Sequence, residues 1–566
     1  MRIIFSFLIG LAALLSSLGA KEEALDEANT PFLGMHMRPM DQTDAATYAL
    51  KEAMGVVITL TLEGGPAHAA GIKAKDAVVG VGGTALASGP DALNSFRNAL
   101  VKAKIGEPLS MDILTPAPRT VNLIPVAKGA WKTIYARNLA NKITRDVQEL
   151  RGLSAKREVD IDLMSRKGLY EKMLHEYNRD MISSDSVKSE KVLTLAGMLP
   201  EGIDTREIFL RLLQQGVQGF YTPDEKALFL IEGQDGDDAE STMAHEITHG
   251  LQDQHFNLKS LPMMNHDNSD LAAAIRCVVE GDAKILELAY MKKHQGKDGD
   301  KEWLTPQNAG GSFVPPTLKP EQRYIMNMMK EMMFPYMEGA CFVKAVHDRG
   351  GWDAVNRLFD DWPLSTEQII HHEKFLGPEI DEPVEIDAHD MIDKLDEVSE
   401  LCMSDVVGEL GMARYSLNFL DRQHLDAESF AAGWDGDRFV GGLTKENGRP
   451  YYIWMSVWDT EADAVEFAAG MGAILQSRYN PEFLKASIKS TAPVDRLNVS
   501  AGPDGEAVVI REGTCVIVVQ AESKAWVEDL ITRAYTCHVR ESKTRPLLKP
   551  ATPSLAQGGS VEPSKP

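Results

Sequence analysis

The tightest constraint in this 566-residue chain is the pentapeptide His245-Glu246-Ile247-Thr248-His249. Its two histidines stand four positions apart, one helical turn, so on a helix both imidazoles leave the same face. Glu246 is turned by about 100° from His245 and reaches the space before that face without joining it. Apolar Met243, Ile247 and Leu251 give such a helix a side to bury, and the periodic run 241–255 predicts the helix itself. Asp237 and Glu240, three apart, are a candidate capping box at its start. Two neutral imidazoles on one turn with a carboxylate beside them form a donor arrangement for zinc, with the glutamate as general base.

A catalytic zinc takes three protein ligands and keeps one position open. Two residues compete for the third place. His255 follows His249 by six positions, a spacing similar to that of metzincins, but that route needs a chain reversal where this sequence has Gln252 rather than Gly. Glu280 follows His249 by 31 positions, in Arg276-Cys277-Val278-Val279-Glu280-Gly281-Asp282-Ala283. Asn268-Ser269-Asp270 can cap a helix there, and Leu271 to Tyr290 is otherwise apolar at helical spacing. A carboxylate in such a stretch is costly unless paired or metal-bound, which favours Glu280. Gly281 inside a helix costs about 1 kcal/mol relative to Ala, so it predicts close approach of a neighbouring helix. Asp253 or Asp282 is a candidate to orient a ligand imidazole through its second nitrogen.

Around this core the chain changes texture. Arg2, the apolar run Ile3 to Leu18 and the small pair Gly19-Ala20 predict a signal peptide, residues 1–20, cleaved near Ala20. The mature chain is then exported, periplasmic or secreted, and no later stretch is apolar enough to need a transmembrane partner. A net charge of −24 argues against nucleic acid. Of five cysteines, Cys515 and Cys537 are the candidate disulfide that export would permit. Residues 31–128 are β-rich, with Gly55 to Leu62 as a strand. Residues 129–400 are mainly helical, with runs at 132–150, 206–215, 241–255, 270–293 and 321–347. Phe220-Tyr221, the turn Thr222-Pro223-Asp224 and Ala227 to Ile231 predict a hairpin just before the histidine helix. Residues 401–545 alternate helix and strand, with Tyr451 to Val457 as a strand, Thr460 to Asp463 as a cap, and Trp434 and Trp458 as core aromatics. Residues 546–566, rich in Pro, Ser and Gly, form a disordered tail. The expected fold is multidomain: a β-rich domain, a mainly α-helical α+β core, and a C-terminal α+β domain.

Residues 31–128 resemble a PDZ domain of the bacterial, circularly permuted type. The resemblance lies in Phe32-Leu33-Gly34-Met35, Gly55-Val56-Val57-Ile58 and the segment from Gly65-Pro66-Ala67 through Ala70-Gly71-Ile72 to Val79. It implies that the backbone N–H groups of Leu33, Gly34 and Met35 hold a peptide C-terminus, the peptide adding as a strand to the sheet edge. Lys75 stands where such domains usually have Gly.

The histidine motif, Leu251-Gln252-Asp253-Gln254-His255-Phe256 after it, and Val279-Glu280-Gly281-Asp282-Ala283 resemble gluzincin-type zinc metallopeptidases of bacteria and archaea. Gly350-Gly351-Trp352, Ser365 to His371, Gly433 to Arg438 and Trp458-Asp459-Thr460 also match, so the resemblance covers about 130–540. Gly250 departs from the usual Ala and His372 from the usual Pro. The resemblance implies a zincin-like core holding zinc on His245, His249 and Glu280. It implies peptide-bond hydrolysis in a peptide or unfolded-protein substrate, with Glu246 as general base and His371 and Tyr336 as candidate donors to the developing oxyanion. The alternative is a peptide-binding protein in which the PDZ module is active and the peptidase fold idle; intact His245, Glu246 and His249 argue against it. An intramembrane protease is excluded by Asp237, Asp238, Glu240, Gln252 and Asp253 flanking the motif.

Overall fold

A computed structural model describes residues 31–540 apart from 63, 116, 182–183, 233–236, 266, 296–318, 420–426 and 480–494. The expected signal peptide and C-terminal tail lie outside the described residues. The chain mixes helices and sheets and divides into two compact units. One runs to Arg145 and includes Asp160–Met164; the other comprises Asp146–Val159 and the chain from Ser165 onward.

The first unit is built on strands β1 (Met35–Pro39), β2 (Val56–Thr61), β3 (Ala77–Val81), β4 (Leu109–Ile113) and β5 (Arg119–Leu123), hydrogen-bonded in that order. Strand β1 is therefore an edge. Val56, Ile58, Val78, Met111 and Ile113 pack with Phe96 of helix α1 (Ala92–Val101) to form the core. Leu33 is buried, Gly34 takes a left-handed φ of 72°, and Met35 opens the edge strand. Lys75 also sits in the left-handed region, at φ 73°, with its N–H on the Ile58 carbonyl at 2.7 Å. A side chain there costs about 1–2 kcal/mol, which is the physical reason for glycine at such a position.

In the second unit the predicted hairpin is present as β6 (Gly219–Thr222) and β7 (Ala227–Ile231), with Thr222 opposite Ala227. The periodic runs from 206 on are helices here: Thr205–Gly216, α2 (Asp237–Phe256), α3 (Ser269–Gln295) and α4 (Pro320–Arg357); the run at 132–150 is helix Lys128–Arg151, which belongs to the first unit as far as Arg145. Helix α2 is buried on every side from Ser241 to Gln252, so its polar residues are interior. Its expected capping box involves the Asp237 side chain, which lies outside the described residues; Glu240 Oε2 accepts from the Tyr290 hydroxyl at 2.9 Å. Asn268 does cap α3, accepting from the Leu271 N–H at 2.8 Å. Gly281 has the reason expected of it. A Cβ there would lie 2.2 Å from the Gly339 carbonyl oxygen on α4, and one at Gly339 would lie 2.4 Å from that of Cys277. Only glycine lets the two backbones approach so closely.

The chain then forms a six-stranded antiparallel sheet from β8 (Ser399–Asp405), β9 (Trp434–Thr444), β10 (Pro450–Trp458), β11 (Arg496–Ser500), β12 (Glu506–Glu512) and β13 (Cys515–Ala521). The order is β8-β9-β10-β13-β12-β11. Trp434, Trp454, Trp458 and Phe467 fill one core cluster; Val440, Ile453, Val508 and Leu530 belong to another. The cap before helix Glu461–Tyr479 is formed, with Thr460 N–H on Asp463 Oδ2 at 3.0 Å and Asp463 N–H on Thr460 Oγ1 at 3.3 Å. All five cysteines are free, so the expected Cys515–Cys537 disulfide is absent. Asp437, buried on β9, accepts from the Trp434 and Trp454 indoles, both at 3.0 Å, and from the N–H groups of Val407 and Gly408. Asp270, at the start of α3, accepts from the Thr366 N–H at 3.0 Å and from its hydroxyl.

Candidate metal centre

Helices α2 and α3 bring His245, His249 and Glu280 together, all three buried. His245 Nε2 lies 3.2 Å from Glu280 Oε2 and 3.2 Å from His249 Nε2; the remaining pair, His249 Nε2 and Glu280 Oε2, is 3.3 Å apart. Two ligands on a tetrahedral zinc, each at about 2.0–2.1 Å, stand about 3.3 Å from one another. The donor set of two imidazoles and one carboxylate, at these separations, fits that ion.

The far side of each imidazole also faces a polar partner. His245 Nδ1 faces Glu287 Oε2 at 3.3 Å, and Lys284 Nζ donates to the other oxygen of that carboxylate at 2.8 Å. His249 Nδ1 faces Gln252 Oε1 at 2.8 Å. The Gln252 amide nitrogen donates to the Val279 carbonyl at 3.0 Å and to Asp282 Oδ2 at 2.9 Å. Asp282 Oδ1 in turn accepts from Arg151 Nε at 2.8 Å, and that guanidinium lies 4.5 Å above the Trp352 ring.

Burial opposes a charge on His245, yet hydrogen bonds to Glu280 and Glu287 and the charge of Glu246 raise its pKa to about 10. His249 is raised as well, burial being outweighed chiefly by the charge of Glu280. Burial pushes Glu280 up, but the charge of His249 and hydrogen bonds from both histidines hold it below the ordinary carboxylate value. Glu287 is likewise held down, against burial, by Lys284 and His245. A cluster of carboxylates that attracts protons onto its imidazoles attracts a divalent cation by the same field, and proton and cation compete for the same lone pairs.

The other expected residues separate. Tyr336, buried on α4, stacks on His245 with ring centroids 5.8 Å apart. His371, just after the short helix Thr366–Ile370, gives its Nε2 to Glu409 Oε1 at 3.0 Å, which raises its pKa; its described partners are acidic residues outside the cluster. Helix α2 continues through Gln252 to Phe256 without reversing, and His255 bonds the Ser154 carbonyl at 2.8 Å, away from His249. Asp253 accepts from the Tyr221 hydroxyl at 2.9 Å, tying the hairpin to α2 rather than orienting an imidazole. Asp282 reaches His249 only through Gln252. Sequence reasoning missed Glu287, Gln252 and Arg151. Glu287 could have been found, since it lies two turns after Glu280 and so on the same face.

Comparison with known proteins adds a distant kinship. Residues 399–531, which hold all six strands of the sheet, match a family model described as a domain of unknown function (DUF8575). A probable periplasmic serine endoprotease, DegP-like, from Chlamydia pneumoniae is 36% identical over 69 residues, which is 12% of this chain and 13% of that protein. Its counterpart from Chlamydia trachomatis is 28% identical over 129 residues, 22% of this chain and 25% of the relative. The chain thus spans a quarter or less of the length of these curated relatives. The PDZ domain of HtrA3 bound to a phage-derived ligand is 18% identical, covering 17% of this chain and 84% of that domain with a TM-score of 0.14, too slight a likeness to argue from. The kinship is with proteases described as serine enzymes, so it lends nothing to zinc. Among the described residues no helix is long and apolar enough to cross a membrane.

Proposed function

We propose that the protein is an exported zinc-dependent metallopeptidase that hydrolyses peptide bonds, with a PDZ module over 31–128 that recruits or gates its substrate. The observation that carries this is the mutual separation of 3.2–3.3 Å among His245 Nε2, His249 Nε2 and Glu280 Oε2, beside Glu246 on the same helical turn. His245, His249 and Glu280 are the residues to hold the metal, within a gluzincin-like core over 129–400. Bound zinc supplies Lewis acidity toward the scissile carbonyl.

The chain's own groups supply the rest. Glu246, with no exposed surface, takes a proton from the attacking water as the oxygen adds to the carbonyl carbon. It returns that proton to the amine as the carbon–nitrogen bond breaks, so the site ends the cycle as it began. Glu287 and Gln252 fix the two imidazoles in orientation, which spares the reaction that reorganisation. Packing of the Tyr336 ring on His245 favours Tyr336 as the donor to the developing oxyanion; His371, engaged by Glu409, is the weaker candidate. At the PDZ module, Leu33, Gly34 and Met35 precede and open an edge strand, the geometry by which a peptide C-terminus adds to a sheet.

The kinship with DegP-like enzymes favours a second reading, a protease of serine mechanism. The two differ in what stops them. On the zinc reading, purified protein that cleaves an unfolded substrate loses cleavage on treatment with a chelator, regains it with zinc, and is indifferent to a serine-directed fluorophosphonate. Inactivation by the fluorophosphonate with indifference to the chelator would establish the serine reading instead.

A further inference from the structure

The hydrogen bonds of Gln252 leave its neighbour no choice of tautomer. Its amide nitrogen is claimed by two groups that only accept, the Val279 carbonyl at 3.0 Å and Asp282 Oδ2 at 2.9 Å. Its oxygen is thereby turned to His249 Nδ1 at 2.8 Å, and an amide oxygen cannot donate. The Nδ1 of His249 must carry the proton. A neutral ring so held presents a bare lone pair at Nε2, on the side of His245 and Glu280.

Asp282 keeps that direction from reversing. Its carboxylate accepts at both ends, from Gln252 and from Arg151 Nε at 2.8 Å, and all three side chains are wholly buried. A guanidinium donates and never accepts, so the polarity of the chain is set at Arg151. The Trp352 ring at 4.5 Å holds the guanidinium in register.

We infer that Arg151, Asp282 and Gln252 form a one-way hydrogen-bond relay that fixes His249 as its Nδ1–H tautomer, making all three positioning residues for the nitrogen that faces the ligand cluster. None of them touches the reacting atoms. The consequence for zinc rests on the reading proposed above; the tautomer does not.

The test uses Asp282→Asn in the full-length chain. An asparagine must turn its oxygen to Arg151, which leaves its NH₂ facing the Gln252 NH₂. Flipping the Gln252 amide relieves that clash but sets its oxygen against the Val279 carbonyl, so neither orientation is fixed and the opposite tautomer of His249 becomes populated. Two readouts follow. In metal-free protein, at a pH where the ring is neutral, histidine ¹⁵N spectra should show His249 protonated at Nδ1 in wild type and at Nε2, or as a mixture, in the variant. Zinc affinity measured against a chromophoric chelator should fall about 10–100-fold in the variant. Should Asp282→Asn fail to fold, Gln252→Met removes the acceptor at nearly the same volume and should give a mixed tautomer. Wild-type His249 protonated at Nε2, or a folded variant with unchanged tautomer and zinc affinity, overturns the relay. A wild type with the Nδ1–H tautomer that binds no zinc supports the relay and sinks the zinc reading alone.

Discussion

Helix α3 buries two carboxylates ten residues apart, Asp270 at its start and Glu280 in its middle, and they carry opposite charge states. Burial pushes Asp270 up to about 8, the bonds from Thr366 opposing it while the charges of Asp437 and Glu409 add to it. At neutral pH it is mostly protonated. Glu280 is as buried, yet two imidazoles hold it ionised. The same helix in the same kind of interior thus makes a neutral hydrogen-bonding post at one end and an anion at the other. What faces the carboxylate decides its charge, and burial only raises the stakes. That difference separates a structural acid from a candidate ligand better than depth does.

The largest way to sharpen the comparison is to remove the charge beside the ligand cluster. Glu246→Gln should keep zinc and lower cleavage by about 10²–10⁴-fold, the range for losing a general base, read as the initial rate on an unfolded substrate. A fully active variant would mean that charge at this end of the pair has no catalytic use. Next in size is a change that disturbs Glu280 without touching Asp270. Gly281→Ala places a Cβ 2.2 Å from the Gly339 oxygen, which is backbone and cannot rotate away. Thermal or denaturant unfolding should report a loss of about 1–3 kcal/mol together with weaker zinc binding.

The smallest effect probes the other end of α3. Between its ordinary value of 3.8 and about 8, folded Asp270 holds a proton that the unfolded chain has released. Its contribution therefore falls as pH rises through that window. Asp270→Asn should flatten the pH dependence of stability there, by up to about 1.4 kcal/mol per pH unit, in urea titrations from pH 5 to 8. A variant with the wild-type slope would show that Asp270 is ionised after all, and the contrast with Glu280 would dissolve.

Much of this was legible from local pattern. The five periodic runs, the hairpin before α2, the cap at Thr460 and the close packing at Gly281 all follow from spacing of a few residues. The pairing of Glu280 with the histidines was also within reach, because an acid in an apolar helix needs a partner. The relay was not. Arg151 meets Asp282 across 131 residues, and no local pattern relates them. Gln252 was read as the wrong residue for a chain reversal, when its value lies in letting α2 continue and reach back to His249. Glu240 and Asp253 were each read with a local partner, and the hydrogen bond the structure gives each is to a distant one, Tyr290 or Tyr221.

The central claim is that α2 and α3 together hold one divalent ion on His245, His249 and Glu280, and metal content measures it directly. Purified wild-type protein and His255→Ala should each carry about one zinc per chain by elemental analysis, while Glu280→Ala carries almost none. A wild type without metal, or zinc kept by Glu280→Ala and lost from His255→Ala, would contradict it.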